Sequence, residues 1–158
     1  MGSLYRSQHE LVFVWKAGEA PHINNVELGK HGRYRTNVWA YRGATKTGAS
    51  AELALHPTVK PVAMIADAIR DASRRGDVVL DPFGGSGSTL NAADRTQRKA
   101  RLIEYEPGYC DVTIERWQGR KGRQAVLAET GETFNDVRLR RAAEVERQAD
   151  LALGLEAA

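Results

Sequence analysis

The sequence predicts an α/β fold: a mostly parallel sheet with helices on both faces, followed by a charged helix at the C-terminal end. Three observations predict it. Short apolar runs at 77–81 and 100–104 alternate with stretches of helical periodicity, as in a parallel sheet with crossover helices. A glycine-rich stretch, Gly84-Gly85-Ser86-Gly87, stands directly between the first run and a helix. A carboxylate, Glu104, closes the second run about 20 residues beyond that turn.

Size and composition agree with one domain. A chain of 158 residues buries a sizeable core. Its single cysteine, Cys110, excludes an internal disulfide and a multi-cysteine zinc site, and reads as a small buried hydrophobe. This cysteine usage fits an intracellular, cytoplasmic setting. The net charge is only +3, yet the pI is about 9.2, with arginines concentrated in 33–42, 95–101 and 116–123. That balance suits a polyanion partner. No apolar run is long enough to span a bilayer and no signal peptide is present, so no membrane role is expected. No metal site is expected either.

The elements follow in order. Glu10-Leu11-Val12-Phe13-Val14-Trp15-Lys16 is nearly continuous apolar sequence, the pattern of a strand covered on both faces. Residues 17–55 are irregular, with recurrent glycines and a polar Thr45-Lys46-Thr47-Gly48 stretch. Their centre, Gly29 to Arg42, interleaves basic and aromatic residues. Arginine binds phosphate or a guanine edge, asparagine pairs with adenine, and aromatics stack on unpaired bases. A solvated surface loop has the same composition, and both readings stand at this point.

His56-Pro57-Thr58-Val59-Lys60-Pro61 leads rigidly into a helix over 61–75, with Pro61 at its first position and Val62, Ile65, Ile69 and Ala72 on one face. Gly76 after Arg74-Arg75 marks its end. The strand at 77–81, the turn at 82–87 and a helix over about 88–98 come next. A strand at 100–104 follows, then a helix from Pro107 to about Gln118 that carries Tyr109, Val112, Thr113 and Trp117. Ala125-Val126-Leu127 is a weak further strand. Thr133 with Asp136 forms an approximate capping box for a solvated helix that has a thin apolar stripe.

The chemistry centres on Asp81-Pro82-Phe83-Gly84-Gly85-Ser86-Gly87-Ser88-Thr89. Glycines after a strand let backbone approach a ligand that a Cβ would block. The helix beginning near Ser88 aims free N–H groups at the same place. Glu104, at the end of the neighbouring strand, can accept both ribose hydroxyls. A phosphate loop of the Walker type needs Gly-Lys-Ser/Thr, and this turn has no lysine. A dinucleotide fingerprint needs a third small residue where this chain has Leu90. A nucleoside bearing a sulfonium-linked amino acid has no pyrophosphate and needs only this short turn, with Asp81 facing its amino group.

These residues resemble a known family. Asp81 to Thr89 resembles the cofactor motif of DNA amino-methyltransferases, which use S-adenosyl-methionine. His56 to Pro61 looks like the motif preceding it in the β-type order, where the catalytic half comes first in the chain. Ile103-Glu104-Tyr105-Glu106-Pro107-Gly108-Tyr109 is similar to the next motif, with its ribose-binding acid. Tyr5-Arg6-Ser7-Gln8-His9-Glu10 and Gly32 to Trp39 look like the matching segments of adenine- or cytosine-directed members. The resemblance runs over about residues 4–134 and is highly specific in the His-Pro-Thr-x-Lys-Pro and Asp-Pro-Phe-x-Gly-Ser-Gly pair.

The resemblance implies a partial Rossmann-like methyltransferase sheet over 1–134, with 17–55 facing DNA and 135–158 forming the charged C-terminal helix. It implies transfer of a methyl group from S-adenosyl-methionine to the exocyclic amino group of a flipped base in double-stranded DNA. Adenine is preferred to cytosine. Asp81, Pro82, Phe83, Gly85, Ser86 and Gly87 would line the cofactor pocket, and Glu104 would hold the ribose. His56, Thr58 and Lys60 would sit near the methionine end. Arg33, Arg35 and Asn37 are candidates for DNA contact.

One departure is decisive. The family's Asp/Asn/Ser-Pro-Pro-aromatic motif, which grips the target amino group, is absent, so no catalytic residue is assigned. In the family's order it lies upstream of Tyr5. Without its strand, an unpaired edge and exposed apolar surface are expected. Three readings follow: half of a split enzyme completed by a second polypeptide or a second copy; a truncated or prophage-derived remnant that binds cofactor or DNA weakly and catalyses nothing; or a non-enzymatic DNA-binding module of the same fold.

Overall fold

The structure, a computed structural model, describes residues 4–5, 9–41 and 59–156. Helix α1 (Val62–Ala72) presents Val62, Ile65, Ala66 and Ile69 along one face, with Ala66 and Ile69 buried. Pro61 is its cap rather than its first turn, and the Pro61 carbonyl accepts from Met64 and Ile65. The helix ends where Ser73 turns extended and its hydroxyl bonds the Ile69 carbonyl. Gly76, at φ +86°, then makes the left-handed turn into the first strand.

Strand β1 (Val78–Asp81) runs parallel to β2 (Lys99–Leu102), with Val79 opposite Ala100 and Asp81 opposite Leu102. Helix α2 (Ser88–Arg95) makes the crossover between them. It stops earlier than its periodicity predicts. The Thr96 hydroxyl bonds the Ala92 and Ala93 carbonyls, and Gln97 takes a left-handed φ of 63°.

The core sits between α1, α2 and one face of the sheet. Ala66, Ile69, Ala92 and Ala93 are buried, and Val62, Ile65, Val79 and Ala100 pack against them. Alanines at the contact let the two helices approach closely. Ile69, the large aliphatic side chain buried there, contributes roughly 1.5–3 kcal/mol, and the partly buried Val62, Ile65 and Val79 contribute less each. Strand alternation turns Val78 and Leu80 to the opposite face, where they are 60% and 65% exposed. Among the described residues, β1 pairs only with β2. The expected unpaired edge and bare apolar face are both present.

Helix α3 (Pro107–Lys121) starts on Glu106, whose carboxylate accepts from the Gly108 amide, and has Pro107 in its first turn. It passes Gly119 and stops at Gly122, whose φ of 64° places a left-handed cap on the Gln118 carbonyl. The weak strand at 125–127 reduces to one antiparallel bridge between Val126 and Thr133. Helix α4 (Phe134–Glu156) begins as predicted, with Thr133 Oγ1 accepting from the Asp136 amide at 3.2 Å. Val137 is its buried residue.

One element departs from expectation. Residues 9–16 form no strand, and Leu11 to Trp15 are exposed. A strand exists only against a neighbour that takes its ladder hydrogen bonds. The described residues supply none there, so an apolar run alone does not become one. No described helix is long and apolar enough to cross a membrane.

Candidate functional site

The turn after β1 is held by its own backbone. Asp81 Oδ1 accepts from the Phe83 amide at 2.9 Å, the Gly84 amide donates to Ile103 at 2.9 Å, and the Gly87 amide donates to Gly84 at 3.0 Å. Gly85 and Gly87 take φ of 53° and 77°, which side-chain-bearing residues rarely adopt. Gly84 is needed for space, since a Cβ there would lie 3.1 Å from the Leu102 side chain. Ser86 and Gly87 are buried, whereas Pro82 and Phe83 are exposed. Helix α2 starts on Gly87 with no side-chain cap, so its first amides lack that partner.

Glu104 comes onto this turn from the end of β2. Its Oε2 accepts from the Gly85 amide at 2.6 Å and its Oε1 from the Glu106 amide at 3.0 Å. An ionised carboxylate accepts along about four lone-pair directions and donates none, the chemistry that ribose hydroxyls need from a partner. Strand end, glycine turn, uncapped helix start and acid therefore converge, as the sequence predicts. The donors and acceptors suit a nucleoside with free ribose hydroxyls. The Cys110 thiol beside it bonds the Glu104 carbonyl, and burial with the Glu104 charge raises its pKa.

The other predicted residues distribute unevenly. His56 and Thr58 lie outside the described residues. Lys60 Nζ meets the Glu10 carboxylate at 2.7 Å, which ties the N-terminal segment to the start of α1. Arg33 and Asn37 are exposed. Arg35 is half-buried and engaged: it pairs with Asp71, lies 3.8 Å from Asp67, and sits 5.1 Å from the centroid of the Trp39 ring. The Tyr41 hydroxyl bonds Asp67 and holds that carboxyl below its ordinary range, with Arg35 and Arg70 assisting. The same bond raises the Tyr41 phenol. Residues 34–41 thus curl against α1 around a cavity of about 250 Å³.

Two residues at the turn were not singled out from sequence as site residues. Thr113 Oγ1 donates to the Gly85 carbonyl at 2.9 Å, and Arg116 Nη1 bonds Ser86 Oγ at 3.0 Å and the Ser86 carbonyl. Both come from α3, about 30 residues downstream, so only the folded chain brings them there.

Comparison with known proteins adds to this geometry. The profile of the DNA methylase family matches residues 5–115. The chain is 33% identical over 100 residues to the orphan methyltransferase M.BamHII of Bacillus amyloliquefaciens, covering 63% of this chain and 38% of that protein. It is 37% identical over 87 residues to the type II methyltransferase M.Cfr9I of Citrobacter freundii, covering 55% and 27%. It thus spans well under half the length of these curated relatives. The solved M1.HpyAVI–SAM complex is 35% identical, over 39% of this chain and 32% of that one, with a TM-score of 0.38.

Proposed function

Because the chain belongs to the DNA methylase family, we propose that it forms the cofactor-binding part of a DNA amino-methyltransferase. The observation that carries this reading is the Glu104 carboxylate on the Gly85 amide, at the end of paired strands and beside an uncapped helix start. S-adenosyl-methionine, when bound, supplies a methyl group made electrophilic by the sulfonium. Around it the chain's own residues bind and orient. Glu104 takes the ribose hydroxyls, and Gly85, Ser86 and Gly87 give close backbone approach. Asp81, Pro82 and Phe83 shape the mouth.

Double-stranded DNA is the proposed partner, in the cytoplasm, and adenine the preferred base. Arg33 and Asn37 are exposed, which supports their assignment to the DNA face. Arg35 fits the same face through its backbone segment, because its guanidinium is shared with Asp67 and Asp71. The catalytic Pro-Pro strand is proposed to come from a polypeptide that pairs with the open edge of β1 and covers Val78 and Leu80. Their exposure supports this.

The test is transfer of tritiated methyl groups to DNA by this chain, alone and mixed with a polypeptide carrying the Pro-Pro motif. Transfer only in the mixture upholds the proposal. A chain that binds DNA but neither binds cofactor nor supports transfer is a DNA-binding module of the same fold.

A further inference from the structure

Helix α3 does more at the turn than pack beside it. The Gly85 peptide is held from two sides: its N–H by Glu104 and its C=O by Thr113. The next carbonyl, Ser86, is held by Arg116, which also bonds the Ser86 hydroxyl. In a trans peptide, C=O of one residue and N–H of the next point in opposite directions, and every described peptide here is trans. Drawing the Gly85 carbonyl onto α3 therefore aims the Ser86 N–H away from α3. Thr113 also fills the space that Gly87 leaves open, since a Cβ on Gly87 would lie 2.6 Å from Thr113 Cγ2.

We propose that Thr113 and Arg116 are positioning residues for the nucleoside ligand, acting through the peptide planes of Gly85 and Ser86. The proposal rests on the cofactor reading of this turn. Holding the planes before the ligand arrives removes an ordering cost from binding. Neither residue need touch the ligand.

The test compares Thr113→Val, which keeps the shape and loses the donor, with Thr113→Ser, which keeps the donor, and with Arg116→Gln. Three quantities are read on the full chain: S-adenosyl-homocysteine affinity by calorimetry, amide hydrogen exchange over 84–88 without ligand, and the thermal midpoint. Thr113→Val should weaken affinity about tenfold, the scale of one lost hydrogen bond, and speed exchange at the bonded amides of Gly85 and Gly87 with little change in midpoint. Thr113→Ser should restore most of both, and Arg116→Gln should resemble Thr113→Val. Wild-type affinity and exchange in Thr113→Val would overturn the proposal. If the wild-type chain binds no ligand, the cofactor reading fails on its own. The ligand-free exchange then decides the positioning role: faster exchange in Thr113→Val upholds a held turn, and unchanged exchange overturns it.

Discussion

Two regions of this molecule hold themselves together by different means. From Val62 to Lys121, helices and strands gather around an apolar core, and glycines take the left-handed positions at 76, 85 and 87, with Gln97 the exception. From His9 to Tyr41 there is no regular element, and the contacts are polar pins onto α1. Asn25 bonds the Arg70 and Ser73 carbonyls, Arg35 and Tyr41 hold Asp71 and Asp67, and Lys60 holds Glu10. The first region makes its own partners. The second carries apolar residues at 11–15 with nothing laid over them among the described residues. The difference teaches that the turn after β1 has its geometry held by β2 and α3, while the segment before α1 is held only by side-chain and backbone pins.

That contrast can be broken most sharply at Gly87. Gly87→Val must place a side chain at φ +77° and into Thr113. Backbone strain and overpacking together should cost about 3 kcal/mol and abolish cofactor binding. Urea unfolding and calorimetry check it, and near-normal values would mean that the turn is not tightly packed. Next in size, Ala92→Leu should overfill the contact between α1 and α2 and cost about 1–3 kcal/mol. Val14→Ser, on the exposed run, should stay within about 0.5 kcal/mol of the parent in this chain. If Val14→Ser proves as damaging as Ala92→Leu, the two regions are not separate in the way described.

Arg33→Ala should weaken DNA binding across sequences and lower the salt slope by about one. Binding measured from low to moderate salt reads this directly, and an unchanged slope removes Arg33 from the DNA face. The smallest effect is acid sensitivity. Burial raises the Asp94 carboxyl, but Arg120 and Lys121 outweigh it and leave the pKa lowered, as Tyr41 does for Asp67. Groups with depressed folded pKa values contribute stability that is complete above their unfolded values, about pH 4. It is lost as pH falls through the folded values. Circular dichroism against pH should show this, and Arg120→Ala should move the acid transition to higher pH.

The legible part of the fold was the part with local signals. Gly76, Gly87, Pro107 and Gly122 punctuate the unit, and the strand–turn–helix sequence of the site could be read from them. The end of α2 was not legible, because Thr96 and Gln97 stop it without glycine or proline. Residues 10–16 misled for a physical reason: an apolar run states that burial is wanted, not what supplies it. The engagement of Arg35 spans 36 residues to Asp71, and composition carries no trace of such a pair. Thr113 was visible as one residue of a helical face, but its bond to Gly85 depends on how α3 docks.

The central claim is that the turn from Asp81 to Ser88, with Glu104, holds an adenosyl ligand. Calorimetric titration of S-adenosyl-homocysteine into the wild-type chain and Glu104→Ala tests it most directly. Saturable binding by the wild type that weakens at least about tenfold in Glu104→Ala, with the variant still folded, is the predicted result. Equal binding by both, or none by the wild type, would contradict it.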